Sequence, residues 1–293
     1  MDLVTLEIFC LVAEGHSISG AAKQLNRVQS NITTKIQQLE EELGVNLFDR
    51  HSRRLQLSDQ GKTYLKYAQH ILALANEAKQ TINPTKLEGI IRIGSMESTC
   101  ASRLPVPLSK FNQHYPDVKV KISTNTSKLL IEQVHERHLD CAFVALPQTL
   151  YGEILLDLAE LGLEGKPLFD EELMLIFSNN QELAQAPIND KPKNLAAFKM
   201  GCTYRSLLED WMIQEKQIEG NIYEVGSYHA MYNYVSAGQC ISAIPLSVIH
   251  LLPQNPSVCY VPLKKIPTWL VWRKDYNPPS FQAFLANLTT NHD

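Results

Sequence analysis

Residues 18–40 constrain the fold more than any other stretch of the chain. Ala21, Ala22 and Leu25 are apolar at helical spacing, and Ile32, Ile36 and Leu39 repeat the pattern after a short polar turn. The two alanines are small, so the second helix of this pair can cross closely over the first. Its outward face presents Gln29, Ser30, Asn31, Thr33, Thr34 and Lys35. These short donors and acceptors suit base edges and phosphates rather than a protein core. That is the layout of a helix-turn-helix that reads DNA. A solvated surface helix with a few chance basic residues is the plainer alternative for this stretch taken alone.

The flanks extend the pattern. Leu6, Phe9, Cys10 and Ala13 put an apolar stripe on a first helix that stops at Gly15, Ser17 or Ser19 can cap the second, and Gly44 closes the third. Phe48, Leu55 and Leu57 anchor two short strands around a basic tip, which is a wing. Gln29 can pair bidentately with adenine and Thr34 can meet a thymine methyl. Ser30, Thr33 and Lys35 suit phosphates, Arg27 reaches them from the turn, and Arg50, Arg53 and Arg54 of the wing suit a narrow minor groove. Glu40, Glu41 and Glu42 are expected to face away from DNA. The formal net charge is -4, so any DNA contact must come from this local patch rather than from the whole chain.

Ser58 then caps a long helix ended by Pro84. Its Tyr64, Ala68, Ile71, Ala75, Ala78 and Ile82 alternate in steps of four and three, a heptad seam. Such a seam predicts self-association; the alternative is that it packs on the first three helices. From Gly89 onward short strands and helices alternate, as in a parallel α/β domain. Strands are expected at residues 90–94, 118–122 and 139–144, with helices at 104–114 and 129–138. A second α/β unit is expected from Lys166-Pro167-Leu168, with strands near 173–177, 200–203, 222–225, 241–245 and 258–262. Residues 269–272 return to the first, followed by a closing helix at 281–288. The predicted fold class is α/β with three parts. Residues 1–58 form a winged helix-turn-helix, and residues 59–88 a linker and dimerisation helix. Residues 89–293 form a two-lobed, periplasmic-binding-protein-like effector domain, with lobe I about 89–165 and 268–293 and lobe II about 166–267.

These residues together resemble the LysR-type transcriptional regulators. The match is dense from Phe9 to Leu72, through Val12-Ala13-Glu14 with Ser17, Ala21-Ala22 with Leu25, Gln29-Ser30 with Ile36, and Leu39-Glu40. It continues through Leu43-Gly44, Leu47-Phe48 with Arg50, Arg54, Leu57-Ser58 and Gly61. The later part of the chain matches at Ile91-Arg92-Ile93-Gly94, Leu104-Pro105, Tyr115-Pro116-Asp117-Val118 and Leu139-Asp140. Val28 stands where the family usually has a serine. The resemblance implies a ligand-responsive regulator that binds double-stranded DNA, associates as a dimer or homotetramer, and takes a small metabolite between two lobes. A solute-binding or metabolic α/β module with an accessory N-terminal domain is the competing reading.

In a two-lobed α/β pair the ligand sits by strand ends and helix starts. The candidates there are Glu97, Ser98, Thr99, Cys100, Ser127, Ala145, Thr203, Gly226 and Ser227. A loop serine or threonine is also an ordinary helix cap. Arg103 and Arg205 would suit a carboxylate, whereas Glu97 would suit an amine or polyamine, and the balance leans to an amine or neutral metabolite. No cofactor is expected. His135 and His138 have a metal-compatible spacing but read as surface histidines, so no metal is expected. Cys100 and Cys202 are candidates for a redox pair or for inert buried thiols. No phosphate-binding glycine loop, nucleophile elbow or zinc-hydrolase motif is present, so no catalytic residue and no enzyme activity are expected. The six cysteines are scattered without a C-x-x-C pair and Met1–Glu7 lacks a basic start, so a cytoplasmic protein with no membrane contact is expected.

Overall fold

Three helices, a two-stranded ribbon and a long fourth helix occupy residues 1–83, the first of two units in the computed structural model; the second is 84–293. The structure describes residues 1–15, 17–49, 55–82, 87–178, 194–214 and 220–289. Helix α1 (Leu3–Gly15) buries Leu6, Ile8, Phe9, Val12 and Ala13. Asp2 precedes it and accepts the Thr5 N–H at 2.7 Å. Helix α2 (Ile18–Gln24) is capped by Ser17, whose Oγ accepts the Gly20 N–H at 3.1 Å. Its buried Ala21 and Ala22 share a core with Ile32, Ile36 and Leu39 of α3 (Gln29–Leu43). Helix α3 stops at Gly44, whose φ of 69° is the left-handed conformation that glycine adopts without steric cost.

Strands β1 (Phe48–Asp49) and β2 (Gln56–Leu57) pair antiparallel, and α4 (Asp59–Ile82) follows. Ser58 Oγ accepts the Gly61 N–H at 2.9 Å, starting α4. A side chain at Gly61 would place its Cβ 2.0 Å from the Leu47 carbonyl oxygen, so only glycine lets α4 approach the wing this closely. Glu40, expected to face away from DNA, is 8% exposed, its Oε1 accepting the N–H groups of Leu47 at 2.7 Å and Phe48 at 3.1 Å. The heptad seam is displaced, because Ala68 and Tyr64 pack into the unit's own core, with Tyr64 5.4 Å from Phe9 between ring centroids. The outer stripe left free on α4 runs through Tyr67, Ile71, Leu74, Ala78 and Ile82, all exposed.

Among the described residues the second unit holds one eight-stranded sheet. Strand β3 (Gly89–Ser95) lies between β4 (Val118–Thr124) and β5 (Cys141–Ala145), all parallel. Two 16-residue strands, β6 (Leu163–Ser178) and β10 (Val258–Arg273), pair antiparallel along their length. At one end β10 pairs with β5 through residues 268–272; at the other, β6 pairs with β9 (Ile241–Pro245) through residues 173–176. Strand β7 (Leu195–Ala197) pairs parallel with β9 and with β8 (Ile222–Glu224). The sheet is therefore mixed rather than parallel throughout, and the lobe boundary passes through the middle of two continuous strands. The strand expected at 200–203 is instead β7, earlier in the chain: Gly201 turns with φ of 91° and Thr203 opens a helix.

Helices cover both lobes. On lobe I they are α5 (Glu97–Ser102), α6 (Pro105–His114), α7 (Ser127–His135) and the closing helix Pro279–Thr289. On lobe II they are α8 (Thr203–Gln214), α9 (Tyr228–Ser236) and the short α10 (Leu246–Ile249), which makes the closing helix α11. Distinct cores form around Phe111, Phe143, Phe281 and Phe284 in lobe I and around Ile176, Met231, Val235 and Ile244 in lobe II.

Candidate nucleic-acid interface and ligand cleft

The start of α3 stands free of the protein. Arg27, Gln29, Ser30, Asn31 and Thr34 are exposed, and Val28, the residue before the helix, is 68% exposed. Val28 offers no side-chain cap, so the first N–H groups of α3 stay open to an incoming anion. An isopropyl group among polar neighbours also suits a thymine methyl. Sequence reasoning had seen Val28 only as a missing serine. Two expected phosphate contacts point elsewhere. Thr33 Oγ1 donates to the Gln29 carbonyl at 3.0 Å, and Lys35 Nζ lies 3.3 Å from Asp2 Oδ2. The Thr5 backbone and side chain, and then Lys35, hold the Asp2 carboxyl down at about 2. Arg50, Arg53 and Arg54 lie outside the described residues.

A cleft of about 350 Å³ opens between the two lobes of the second unit. Lobe I contributes Met96 and Glu97 after β3, and Thr124, Asn125, Thr126 and Ser127 from the end of β4 to the start of α7. Lobe II contributes Phe198, Lys199, Cys202 and Tyr204 between the end of β7 and the start of α8, and Glu224, Gly226 and Tyr228 between the end of β8 and the start of α9. Phe198 and Tyr228 meet edge to face, with centroids 4.9 Å apart.

Of the nine expected ligand residues, Glu97, Ser127 and Gly226 line this cleft. The others do not. Ser98 and Thr99 are buried within α5, at 1% and 0% exposure. Ser227 caps α9 by accepting the Ala230 N–H, and Cys100 is off the wall. Thr203 Oγ1 donates to the Ala145 carbonyl at 2.7 Å, and the Ala145 N–H donates to Ser127 Oγ at 3.2 Å. These hydroxyls serve backbone groups. Thr126, Phe198, Lys199, Tyr204, Glu224 and Tyr228 were not singled out as ligand residues. Their common signal is adjacency to the loops that follow strands.

The charges sort themselves. Arg103 is 2.6 Å from Glu171 Oε1, and Ser247 donates to the other oxygen of that buried carboxylate at 2.7 Å. Arg205 bonds Glu209 at 2.7 Å, Glu224 at 3.0 Å and the Phe198 carbonyl at 3.1 Å. Both arginines are thus committed. Glu97 is not: its Oε2 is buried without a hydrogen-bond partner, and burial pushes its carboxyl upward while the exposed His229 pulls the other way. Burial also raises both thiols, that of Cys100 with help from Glu97, which suits inert cysteines. His135 Nδ1 contacts the Leu161 carbonyl, and among the described residues no three histidine, cysteine, aspartate or glutamate side chains gather as a metal site. No helix among the described residues is long and apolar enough to cross a membrane.

Comparison with known proteins agrees with this division. Residues 3–62 match the family described as "Bacterial regulatory helix-turn-helix protein, lysR family", and residues 84–293 match "LysR substrate binding domain". The HTH-type transcriptional regulator SoxR of Arthrobacter sp. (strain TE1826) is 37% identical, over 98% of this chain and 96% of its own length. The HTH-type transcriptional regulator CzcR of Bacillus thuringiensis subsp. konkukian (strain 97-27) is 34% identical, over 100% and 98%. Among solved structures, CbnR, a LysR family transcriptional regulator, shares the fold with a TM-score of 0.65 at 21% identity, over 100% of both chains. Full-length CbnR in complex with its target DNA aligns with a TM-score of 0.65 at 22% identity, over 99% of each chain.

Proposed function

The chain belongs to the LysR family of DNA-binding, effector-responsive transcriptional regulators, and from that premise we propose how its residues divide the work. Arg27, Val28, Gln29, Ser30, Asn31 and Thr34 read or hold operator DNA, with Arg50, Arg53 and Arg54 on the wing. The outer stripe of α4 joins two copies, and a dimer or tetramer presents several heads to one operator. A small molecule enters the cleft between the lobes and biases their closure, which alters how the DNA-binding units engage. The protein acts in the cytoplasm and has no catalytic role. The observation that carries this reading is the cleft itself: its walls come from both lobes, so any occupant makes contacts that depend on their separation.

The test is a gel shift and footprint with the full chain on the DNA flanking its own gene, repeated with each small metabolite that raises its unfolding temperature. The expected result is salt-sensitive, sequence-specific binding whose footprint changes with a stabilising metabolite. Equal affinity for that region and for random DNA would remove the operator reading. Stabilisers that leave the footprint unaltered would remove the coupling.

A further inference from the structure

We propose that the cleft selects an organic ammonium cation, with Glu97 as its counter-ion and the rings of Phe198, Tyr204 and Tyr228 around its apolar body; this rests on the cleft being the effector site.

Arg103 and Arg205, the arginines expected to meet a carboxylate, are already paired within the protein. Arg205, beside Tyr204 in the first turn of α8, spends its donors on Glu209, Glu224 and the Phe198 carbonyl, and its side chain is 12% exposed. Arg103 is turned to Glu171 and the Asp170 carbonyl. Glu224 is neutralised by Arg205. The remaining lining charges are the exposed Lys199 and the half-buried Glu97. Glu97 is the one taken from water without compensation. Its Oε2 has no hydrogen-bond partner among the described residues, and His229 opposes the effect of burial on its carboxyl. A half-buried carboxylate in this state gains from a cation more than from any neutral group.

The walls supply the second half of the recognition. Phe198 and Tyr228 stand edge to face, and Tyr204 lies 3% exposed beside them. Aromatic faces attract ammonium groups and cover attached alkyl or aryl bodies. The ammonium can belong to a plain amine or to an amino acid. In the second case Lys199, on the opposite wall from Glu97, takes the carboxylate.

The experiment uses the full chain and a matched probe series. Butyl and 2-phenylethyl bodies are each carried on an ammonium, a hydroxyl, a carboxylate and an α-amino-acid group, and binding is read by thermal shift and calorimetry. The ammonium members should bind and the matched alcohols and carboxylates should not. Glu97→Gln, which keeps shape and hydrogen bonding, should weaken the ammonium probes by about ten- to a hundredfold, the loss of one charge-assisted contact. Lys199→Ala should weaken the amino acids and spare the plain amines. Preference for carboxylates or alcohols, absence of any ammonium binder, or unaltered affinity in Glu97→Gln would overturn the cation assignment. If the preferred probes are anionic yet lose affinity in Phe198→Ala, the cleft remains the effector site and only the charge class falls. If they are indifferent to Phe198→Ala, the cleft reading fails with it.

Discussion

Replacing Glu40 by alanine should loosen the wing before anything else in the DNA-binding unit. Its Oε1 accepts two N–H groups, from Leu47 at 2.7 Å and Phe48 at 3.1 Å, where both residues are buried. Alanine strands both donors. A buried donor without a partner costs about 1–3 kcal/mol, so the pair costs about 2–6 kcal/mol. One kcal/mol moves the midpoint of a domain this size by about 4–8 °C, so the unit should melt roughly 10–50 °C earlier. The sharper assay is hydrogen exchange by mass spectrometry on the full chain. If Leu47 and Phe48 exchange by local opening, the same energy speeds them by about thirtyfold to roughly ten-thousandfold. Glu40→Gln keeps the acceptor oxygen and should recover more than half of the loss. Unchanged exchange in Glu40→Ala would show that the strand holds itself. Equal damage in both variants would show that charge matters rather than the accepting oxygen.

Gln29→Ala should cost about 1–3 kcal/mol on the operator and almost nothing on random DNA, measured by competition gel shift. Arg53→Ala with Arg54→Ala should weaken all DNA binding and flatten the plot of log affinity against log salt by about one unit per lost phosphate contact. Ile71→Asp places a charge in the outer stripe of α4, so sedimentation should show smaller species; wild-type size would place the dimer contact elsewhere. Glu97→Gln should raise the unfolding temperature of the ligand-free chain at neutral pH. Burial lifts the Glu97 carboxyl above its usual value. The folded state therefore binds its proton more tightly than the unfolded chain does, and stability falls as pH rises through the window above that usual value. The advantage of glutamine must then vanish in acid; a gap independent of pH would contradict the assignment.

Local chemistry was legible from the chain where a cap or an apolar face decides the matter. Ser17, Gly44 and Ser58 bound their helices because each satisfies backbone groups within three residues of itself. The heptad on α4 was read a turn out of place. Spacing alone does not tell which apolar positions are claimed by Phe9 and its neighbours within the same unit. The two long strands were read as short pieces for a different reason. Pro167, Asp170, Glu171 and Glu172 interrupt one apolar run, and Pro262, Lys264, Lys265 and Pro267 the other. In the structure the ladder shifts register at Pro262/Lys264 and at Thr268/Trp269, which absorbs the missing donors. Arg103 and Ser247 meanwhile make a buried Glu171 tolerable. Both remedies come from residues distant in the chain.

The cleft shows the same division more sharply, and it bears on how any switch works. Hydroxyl-rich loops after strands were read as ligand groups, but several of these hydroxyls are fastenings. The Thr203 bond to the Ala145 carbonyl joins lobe II to lobe I, and so does the Lys128 N–H to the Gly201 carbonyl at 3.1 Å. Ser127, which supports Ala145 from the same lobe, fixes one end of the first fastening. These two hydrogen bonds, of about 0.5–1.5 kcal/mol each, add about 1–3 kcal/mol to what holds the lobes together, beside the Arg103–Glu171 pair and the Ser102–Ser247 contact. An effector shifts this equilibrium only through its preference for one arrangement. One that parts the lobes must therefore favour the open form by about ten- to a hundredfold merely to offset these two bonds. One that settles against Glu97 with the fastenings intact needs no such preference, since it compensates a charge already held there.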